Sequence, residues 1–431
     1  MSSSAPDLLS SLKSALLPGR AQRICVAFSG GLDSSVLLHL LARMRPLAGF
    51  ELSALHVHHG LSELADRWVE HCETVCAALS VSLTVERVDV ARDAGKGLEA
   101  AAREVRHAAY ARIDADWIAL AHHADDQAET LLHRLVRGSG VAGAAGMRSK
   151  DALRRLWRPL LEFSRADLLA WACQEQLLWI EDDSNSDLRF FRNFLRQDVL
   201  ASLNGRFPAA SRNLARAAAH FAEASDLLDV LAAQDASQVS FAEPASRTRF
   251  RSLAGARQRN VLRFWLRQAG ALAPDCFHTH GVCQALAGDA AVRELLGHYA
   301  CCAWRERIWL EPIVLSVPER RCWQGEPEIP WGGGTICFES ETGLSSVPTF
   351  ACEGLEFRPR AGGERMRLAP ERPMRSLRQL CQEAGIPAWW RDVLPTLWCG
   401  GELLWIGGVG AASPLPGLRI RWVGPDGVTR N

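Results

Sequence analysis

Residues Arg23–Ser35 read RICVAFSGGLDSS, and this stretch decides the fold. After its first residue, Arg23–Phe28 is a short unbroken apolar run, the pattern of a strand buried on both faces. Ser34–Arg43 (SSVLLHLLAR) then places Val36, Leu37, Leu40 and Leu41 on one helical face. Between strand and helix lies Ser29-Gly30-Gly31-Leu32-Asp33-Ser34-Ser35. Its two glycines let the backbone approach an anion closely. Its serine hydroxyls and the free N–H groups of the helix start can hold phosphate oxygens. The chain has no G-x-x-x-x-G-K-[ST], so this is not a Walker-type loop. An ordinary capped turn also uses Gly, Asp and Ser. The whole heptapeptide, set between a buried strand and an amphipathic helix, favours nucleotide binding. Asp33 would then sit near the phosphates, where a hard cation such as Mg²⁺ suits a carboxylate.

Working outward, Leu52–Val57, Ser82–Val88 and Trp117–Ala121 read as further strands, with helical segments around Ala65–Leu79 and Leu98–Ala115. Strands alternating with helices predict a doubly wound, mostly parallel α/β sheet over residues 1–206. From about Phe207 to Leu296 the pattern turns helical, with Ala209–Leu231 rich in alanine and leucine and an amphipathic helix at Arg257–Ala269. This predicts a helical domain over 207–317. Pro318, Pro327, Pro330 and Gly332–Gly334 mark a loop-rich break. Short strand-like pieces and a helix at Arg375–Glu383 then predict a small α+β domain over 318–431.

The chain of 431 residues is long enough for two to four domains. Its formal net charge is zero, so the whole molecule does not advertise a polyanionic partner. The cations themselves say more: only Lys13, Lys96 and Lys150 are lysines, and arginine forms better forks for phosphate and stacks on bases. A GC-rich genome gives the same bias. The 13 cysteines form no C-x-x-C, which argues against zinc or iron–sulfur sites and for reduced thiols in a cytoplasm. No stretch has the length of a membrane span or the layout of a signal peptide.

Two further segments carry chemistry. His122-His123-Ala124-Asp125-Asp126-Gln127-Ala128-Glu129-Thr130 follows a strand. On a helix, Asp126 shares a face with Glu129 and Thr130, and that face could hold either a metal or a substrate ammonium. Arg103 and Arg106, at i and i+3, could neutralise phosphate, as could Arg192 and Arg196 on another helical face. A solvated helix face is the alternative for each. Seven arginines between Arg358 and Arg378 stand against Glu364 and Glu371, with Trp389 and Trp390 nearby, a pattern that suits a nucleic-acid surface. Arg247–Arg267, with seven arginines and no acid, is a second such patch, equally readable as a solvated face.

These motifs bear a resemblance to a known family. S-G-G-L-D-S-S is similar to the phosphate loop of PP-loop ATP pyrophosphatases. His56-Val57-His58-His59-Gly60-Leu61, the His122–Thr130 segment, Arg137-Gly138-Ser139-Gly140 and Gly97–Arg106 resemble segments of their lysidine synthase branch. So do Glu181–Asn185, Arg192-Asn193-Phe194-Leu195-Arg196, Arg358–Glu364 and Gly385–Arg391. The resemblance is strong to about residue 200, weak across the central helices, and moderate from about 355. It implies a PP-loop ATPase, adenine nucleotide alpha-hydrolase-like fold that uses ATP and Mg²⁺. The implied substrates are tRNA(Ile) with a CAU anticodon, adenylated at C2 of its wobble cytidine, and L-lysine, whose amine displaces AMP.

By the same resemblance Asp33, Asp126, Arg103 and Arg196 are the catalytic candidates. Ser29, Gly30, Gly31, Leu32, Asp33, Ser34, Ser35 and His56 would hold the nucleotide, and Asp33 the metal. Asp126, Glu129, Arg192, Arg358 and Arg360 would meet lysine or tRNA. The resemblance leaves room for a homodimer and gives no reason for a membrane. A tRNA thiolase of the same fold would want paired catalytic cysteines, and Cys25, Cys72, Cys76 and Cys173 lack that arrangement. A non-catalytic nucleotide- or RNA-binding module would not need both motifs intact.

Overall fold

The computed structural model describes residues 8–15, 22–60, 65–88, 98–181, 191–239, 245–271, 276–313, 318–340, 354–369, 371–412 and 418–430. By its internal contacts the chain forms two compact units, Met1–Leu227 and Leu228–Asn431.

The first unit is built on β1 (Arg23–Ala27), β2 (Glu51–His58), β3 (Ser82–Arg87), β4 (Trp117–Ala119), β5 (Lys150–Asp151) and β6 (Leu156–Trp157), in the order β3-β2-β1-β4-β6-β5. All neighbours are parallel except β5 and β6. Helices α1 (Leu8–Ala15), α2 (Leu32–Ala48), α3 (Ala65–Ala78), α4 (Leu98–Arg112), α5 (Ala124–Val136), α6 (Val141–Ala144) and α7 (Arg165–Gln174) accompany the sheet.

The period-2 alternation of β1 explains why both sheet faces are covered. Ile24 and Val26 pack with Val36, Leu37, Leu40 and Leu41 of α2. Cys25 faces the other way and packs with Leu55, Ile118, Ala109 and Tyr110. The four α2 side chains are fully buried, and each contributes roughly 1.5–3 kcal/mol relative to exposure. α2 stops at Gly49, whose φ of 70° closes the helix with an N–H bond to the Arg45 carbonyl. The sheet's carboxyl edge therefore carries the loop after β1, His59 after β2, and His122–His123 after β4. This is the edge where open α/β sheets bind ligands.

In the second unit, helices Gly255–Gln268 and Cys276–Ala287 pack on an antiparallel sheet of Ala245–Ser246, Arg307–Pro312, Tyr299–Trp304 and Val292–Leu296. The helical pattern expected up to Leu296 thus ends earlier. Gly297, at φ 62°, turns Val292–Leu296 back onto Tyr299–Trp304 as a tight hairpin, and cross-strand pairing overrides the helical reading. Three further antiparallel sheets follow among the described residues: one around Leu355–Arg358, Thr396–Cys399 and Glu402–Ile406, one around Gly334–Ser340 and Leu418–Val423, and a small one pairing Arg365–Met366 with Arg375–Ser376. The helix expected at Arg375–Glu383 runs from Leu377 to Glu383 with Ser376 as its cap. Ala300, Cys302 and Trp309 share a core with residues as distant as Ile420 and Trp422. The proline-rich break near Pro318 therefore lies inside one packed unit. Among the described residues no helix is long and apolar enough to cross a membrane.

Candidate functional site

The loop after β1 is wound tightly. Gly30 is buried at φ 84°, and a Cβ there would come within 3.2 Å of Cys72 Sγ and Ile180 Cδ1. Only glycine fits both the backbone and the space. The Gly30 carbonyl accepts the Ile180 N–H at 2.9 Å. Ser29 and Ser34 tie the loop to the helix: their hydroxyls are 3.0 Å apart, and Ser34 Oγ donates to the Gly31 carbonyl at 3.0 Å. Ser35 is fully buried with its hydroxyl 3.5 Å from the Gly30 carbonyl. The Leu32 side chain belongs to the core, so only its backbone can face a ligand. Gly31 caps α2 without a side-chain hydrogen bond, which leaves the first-turn N–H groups for an anion.

His56 stands behind this loop. It is 4% exposed, its Nδ1 lies 3.0 Å from the Phe28 carbonyl, and Cys72 Sγ is 3.4 Å away. Burial pushes its imidazole down despite that hydrogen bond. Its contacts brace the loop from the protein side.

Across the sheet edge, α5 brings its carboxylates inward. His123 precedes the helix, and its backbone N–H donates to Asp126 Oδ2 at 3.0 Å, half of a capping box. The buried His123 ring lies among three acids: Nε2 is 3.7 Å from Asp33 Oδ2 and 3.4 Å from Asp126 Oδ2, and Nδ1 is 3.6 Å from Asp125 Oδ2. Burial alone would push this imidazole down. The interaction of the His123 N–H with the Asp33 carboxylate, and the charges of Asp126, Asp33 and Asp125, outweigh it and hold His123 above its ordinary range. His123 thus links the phosphate loop to α5. Its position one residue ahead of an A-D-D helix start was the sequence signal for this link.

Arg196 completes the cluster. It sits in a π-helical turn, Leu195–Leu200, a distortion often found at functional sites. Its Nε donates to Glu129 Oε1 at 2.5 Å, and one terminal nitrogen lies 3.3 Å from both Glu129 Oε2 and Asp126 Oδ1. Asp126 and Glu129 are 8% and 1% exposed, so the carboxylate pair is desolvated, and the Arg196 guanidinium bridges its two members. Asp33, Asp126, Glu129 and Arg196 are therefore brought together. Arg103 stands exposed on α4, and its charge acts on His107 and on Arg158. The Arg192 side chain lies outside the described residues, as does the segment 182–185.

The basic patches resolve differently. Arg358 donates twice to Glu356, at 2.9 and 2.7 Å, and lies over the Trp398 ring. Arg360 is 3.8 Å from Glu364 and 3.7 Å from Asp392. Trp390 is a core residue whose indole donates to Glu311 at 2.8 Å, and Trp389 packs on Trp304 and Trp309. Trp390 is thus a structural indole, whereas Trp389 is half-buried. In the second patch, Arg247 is buried and donates to the carbonyls of Leu286, Asp289, Arg305, Ala285 and Ala290. Arg257 pairs with Asp235 and Arg267 with Asp229. Much of the Arg247–Arg267 charge is thus spent inside the unit. Burial pushes the thiols of Cys25, Cys72 and Cys76 up to about 11, about 12 and about 11, the opposite of what sulfur-transfer nucleophiles need.

Comparison with known proteins agrees with this arrangement. The family model of a PP-loop domain matches residues 5–203. A TilS substrate binding domain matches 246–309, and a TilS substrate C-terminal domain matches 355–422. A tRNA(Ile)-lysidine synthase of Aromatoleum aromaticum is 48% identical over 397 residues, covering 91% of this chain and 94% of its own. One from an Azoarcus species is 44% identical, covering 92% and 89%. One from Pseudomonas syringae pv. tomato is 40% identical and covers 99% of each chain.

Proposed function

The chain belongs to the tRNA(Ile)-lysidine synthase family, and from that premise we propose which of its residues carry the two steps. The enzyme uses ATP to form lysidine on tRNA(Ile). In the first step the C2 oxygen of the wobble cytidine attacks the α-phosphate and pyrophosphate leaves. In the second, the amine of L-lysine attacks C2 and AMP leaves. Adenylation turns a poor oxygen leaving group into a good one, so positioning and charge neutralisation supply most of the catalysis.

Ser29, Ser34, Ser35 and the backbone of Gly30–Asp33 hold the phosphates. Asp33 Oδ1 is buried with no hydrogen-bond partner, which suits a ligand to Mg²⁺. Among the described residues no three His, Cys, Asp or Glu side chains gather as a metal cage. A divalent cation there would draw its other ligands from phosphate oxygens and water. When bound it neutralises phosphate charge.

Asp126 and Glu129 receive the lysine ammonium. The observation that carries this is their shared grip on Arg196: a buried carboxylate pair beside the phosphate loop that already binds one cation. Lysine competes with Arg196 for the pair, and the released guanidinium becomes available to a phosphate oxygen. Asp126 takes the proton that the amine must lose before attack. Its oxygens are engaged by His123 and Arg196, so proton acceptance follows Arg196 release. Arg358 and Arg360 then contribute to tRNA binding.

The test is to incubate enzyme, ATP and tRNA without lysine and then add it. Adenylated tRNA should accumulate first, and AMP release should follow lysine addition. AMP release at the same rate with and without lysine would refute this division of roles.

A further inference from the structure

Arg158 follows β6 directly, at the carboxyl end of a strand parallel to β4. It therefore lies on the same sheet edge as the phosphate loop and His122–His123. It is 6% exposed, yet among the described residues its guanidinium makes one hydrogen bond, from Nη1 to the Arg148 carbonyl at 2.8 Å, and its buried Nε has no partner there. The second unit supplies a contrast. Arg247 is also buried, at 2% exposed, and its guanidinium reaches five carbonyls. Arg247 is a cation fully used as a structural tie, and Arg158 is not. Burying a cation with so little compensation is costly, and a single carbonyl could be satisfied by a neutral donor.

The surroundings of Arg158 are cationic. Arg103 and Arg106 lie one turn apart on α4. Burial lowers the His107 imidazole, and their charges, with those of Arg154 and Arg158, lower it further. The same Arg103, Arg106 and Arg158 act on the buried Tyr110. Asp151, the carboxylate whose field favours the Arg158 charge, is hydrogen-bonded to Arg154.

We propose that Arg158, together with Arg103 and Arg106, forms a phosphate-binding site at the β6 end of the sheet edge. The ligand is a phosphate group, either from the pyrophosphate part of ATP or from the tRNA backbone beside the target cytidine. This rests on reading the first unit as the ATP and tRNA site. The arginine fork supplies parallel N–H donors that suit phosphate oxygens.

The experiment compares full-length wild type, R158M and R158Q. It measures thermal unfolding in phosphate-free buffer and affinity for inorganic pyrophosphate, for ATP with Mg²⁺ and for unmodified tRNA(Ile). The site predicts that the variants unfold at or above the wild-type temperature. It also predicts that affinity falls on the order of ten-fold for at least one probe. A loss confined to pyrophosphate and ATP assigns the phosphate to the nucleotide. A loss confined to tRNA, with a shallower salt dependence, assigns it to the RNA backbone. Unchanged affinity for all three probes overturns the proposal. So does loss of the folded state in both variants, which would make Arg158 a structural tie like Arg247. Lysidine formation by the wild type, assayed alongside, separates failure of this site from failure of the reading it rests on.

Discussion

Arg196 Nε donates to Glu129 Oε1 at 2.5 Å, joining residues 67 apart in sequence across the mouth of the site. The guanidinium is 38% exposed while the carboxylate is buried, so the pair is open to exchange from the solvent side. In the proposed reaction the cationic substrate shares or replaces this contact.

Asp126→Asn removes a charge and keeps the shape. The lost charge-assisted contact to lysine should weaken lysine affinity about ten- to a hundred-fold. Apparent constants for lysine and for ATP–Mg²⁺, measured separately, check this. A large ATP–Mg²⁺ defect with normal lysine dependence would move Asp126 from substrate ligand to metal ligand.

Asp33→Ala and Ser34→Ala should each cut ATP-dependent adenylation by roughly a hundred-fold or more while tRNA binding largely survives. Both residues lie in the phosphate loop of the first unit, whereas Arg358 and Arg360 belong to the second. Filter binding of tRNA beside an adenylation assay tests the separation. Parallel loss of both would contradict it.

Gly30→Ala should weaken ATP binding about ten-fold or more. The left-handed backbone costs an L-residue roughly 1–2 kcal/mol, and the added Cβ meets Cys72 Sγ and Ile180 Cδ1 at 3.2 Å. Calorimetric ATP titration gives the answer, and wild-type affinity in the variant would show that the loop is not shaped as described.

Stability should fall with acid in a way that depends on His59. Burial, with the charges of Arg106, His56 and His58, lowers its imidazole to about 4. In the unfolded chain the same ring takes up a proton near about 6.5. Between those values the unfolded state binds more protons, so this contribution is present above the unfolded value and lost as pH falls toward the folded one. His59→Asn should flatten the fall in unfolding temperature between about pH 7.5 and about pH 5. An unchanged slope would remove His59 as a cause.

The phosphate loop was legible because strand, glycines and helix face are contiguous, and local rules fix them. The α5 carboxylate face was legible for the same reason: three- and four-residue spacing places Asp126 and Glu129 together. What local patterns do not carry is closure between distant segments. The π-helical turn that delivers Arg196 to Glu129 depends on tertiary packing. The burial of His123 among Asp33, Asp125 and Asp126 does so too. Arg247–Arg267 read as a free basic face because sequence shows charges and not the carbonyls that consume them. Val292–Leu296 read as helix because the Gly297 turn decides its partner.

Nucleoside analysis of tRNA(Ile) after incubation with the enzyme, ATP and lysine tests the central claim most directly. The account predicts lysidine at the wobble position, dependent on both ATP and lysine and absent in Asp33→Ala. An unmodified cytidine, or a sulfur-containing nucleoside when a sulfur donor replaces lysine, would contradict it.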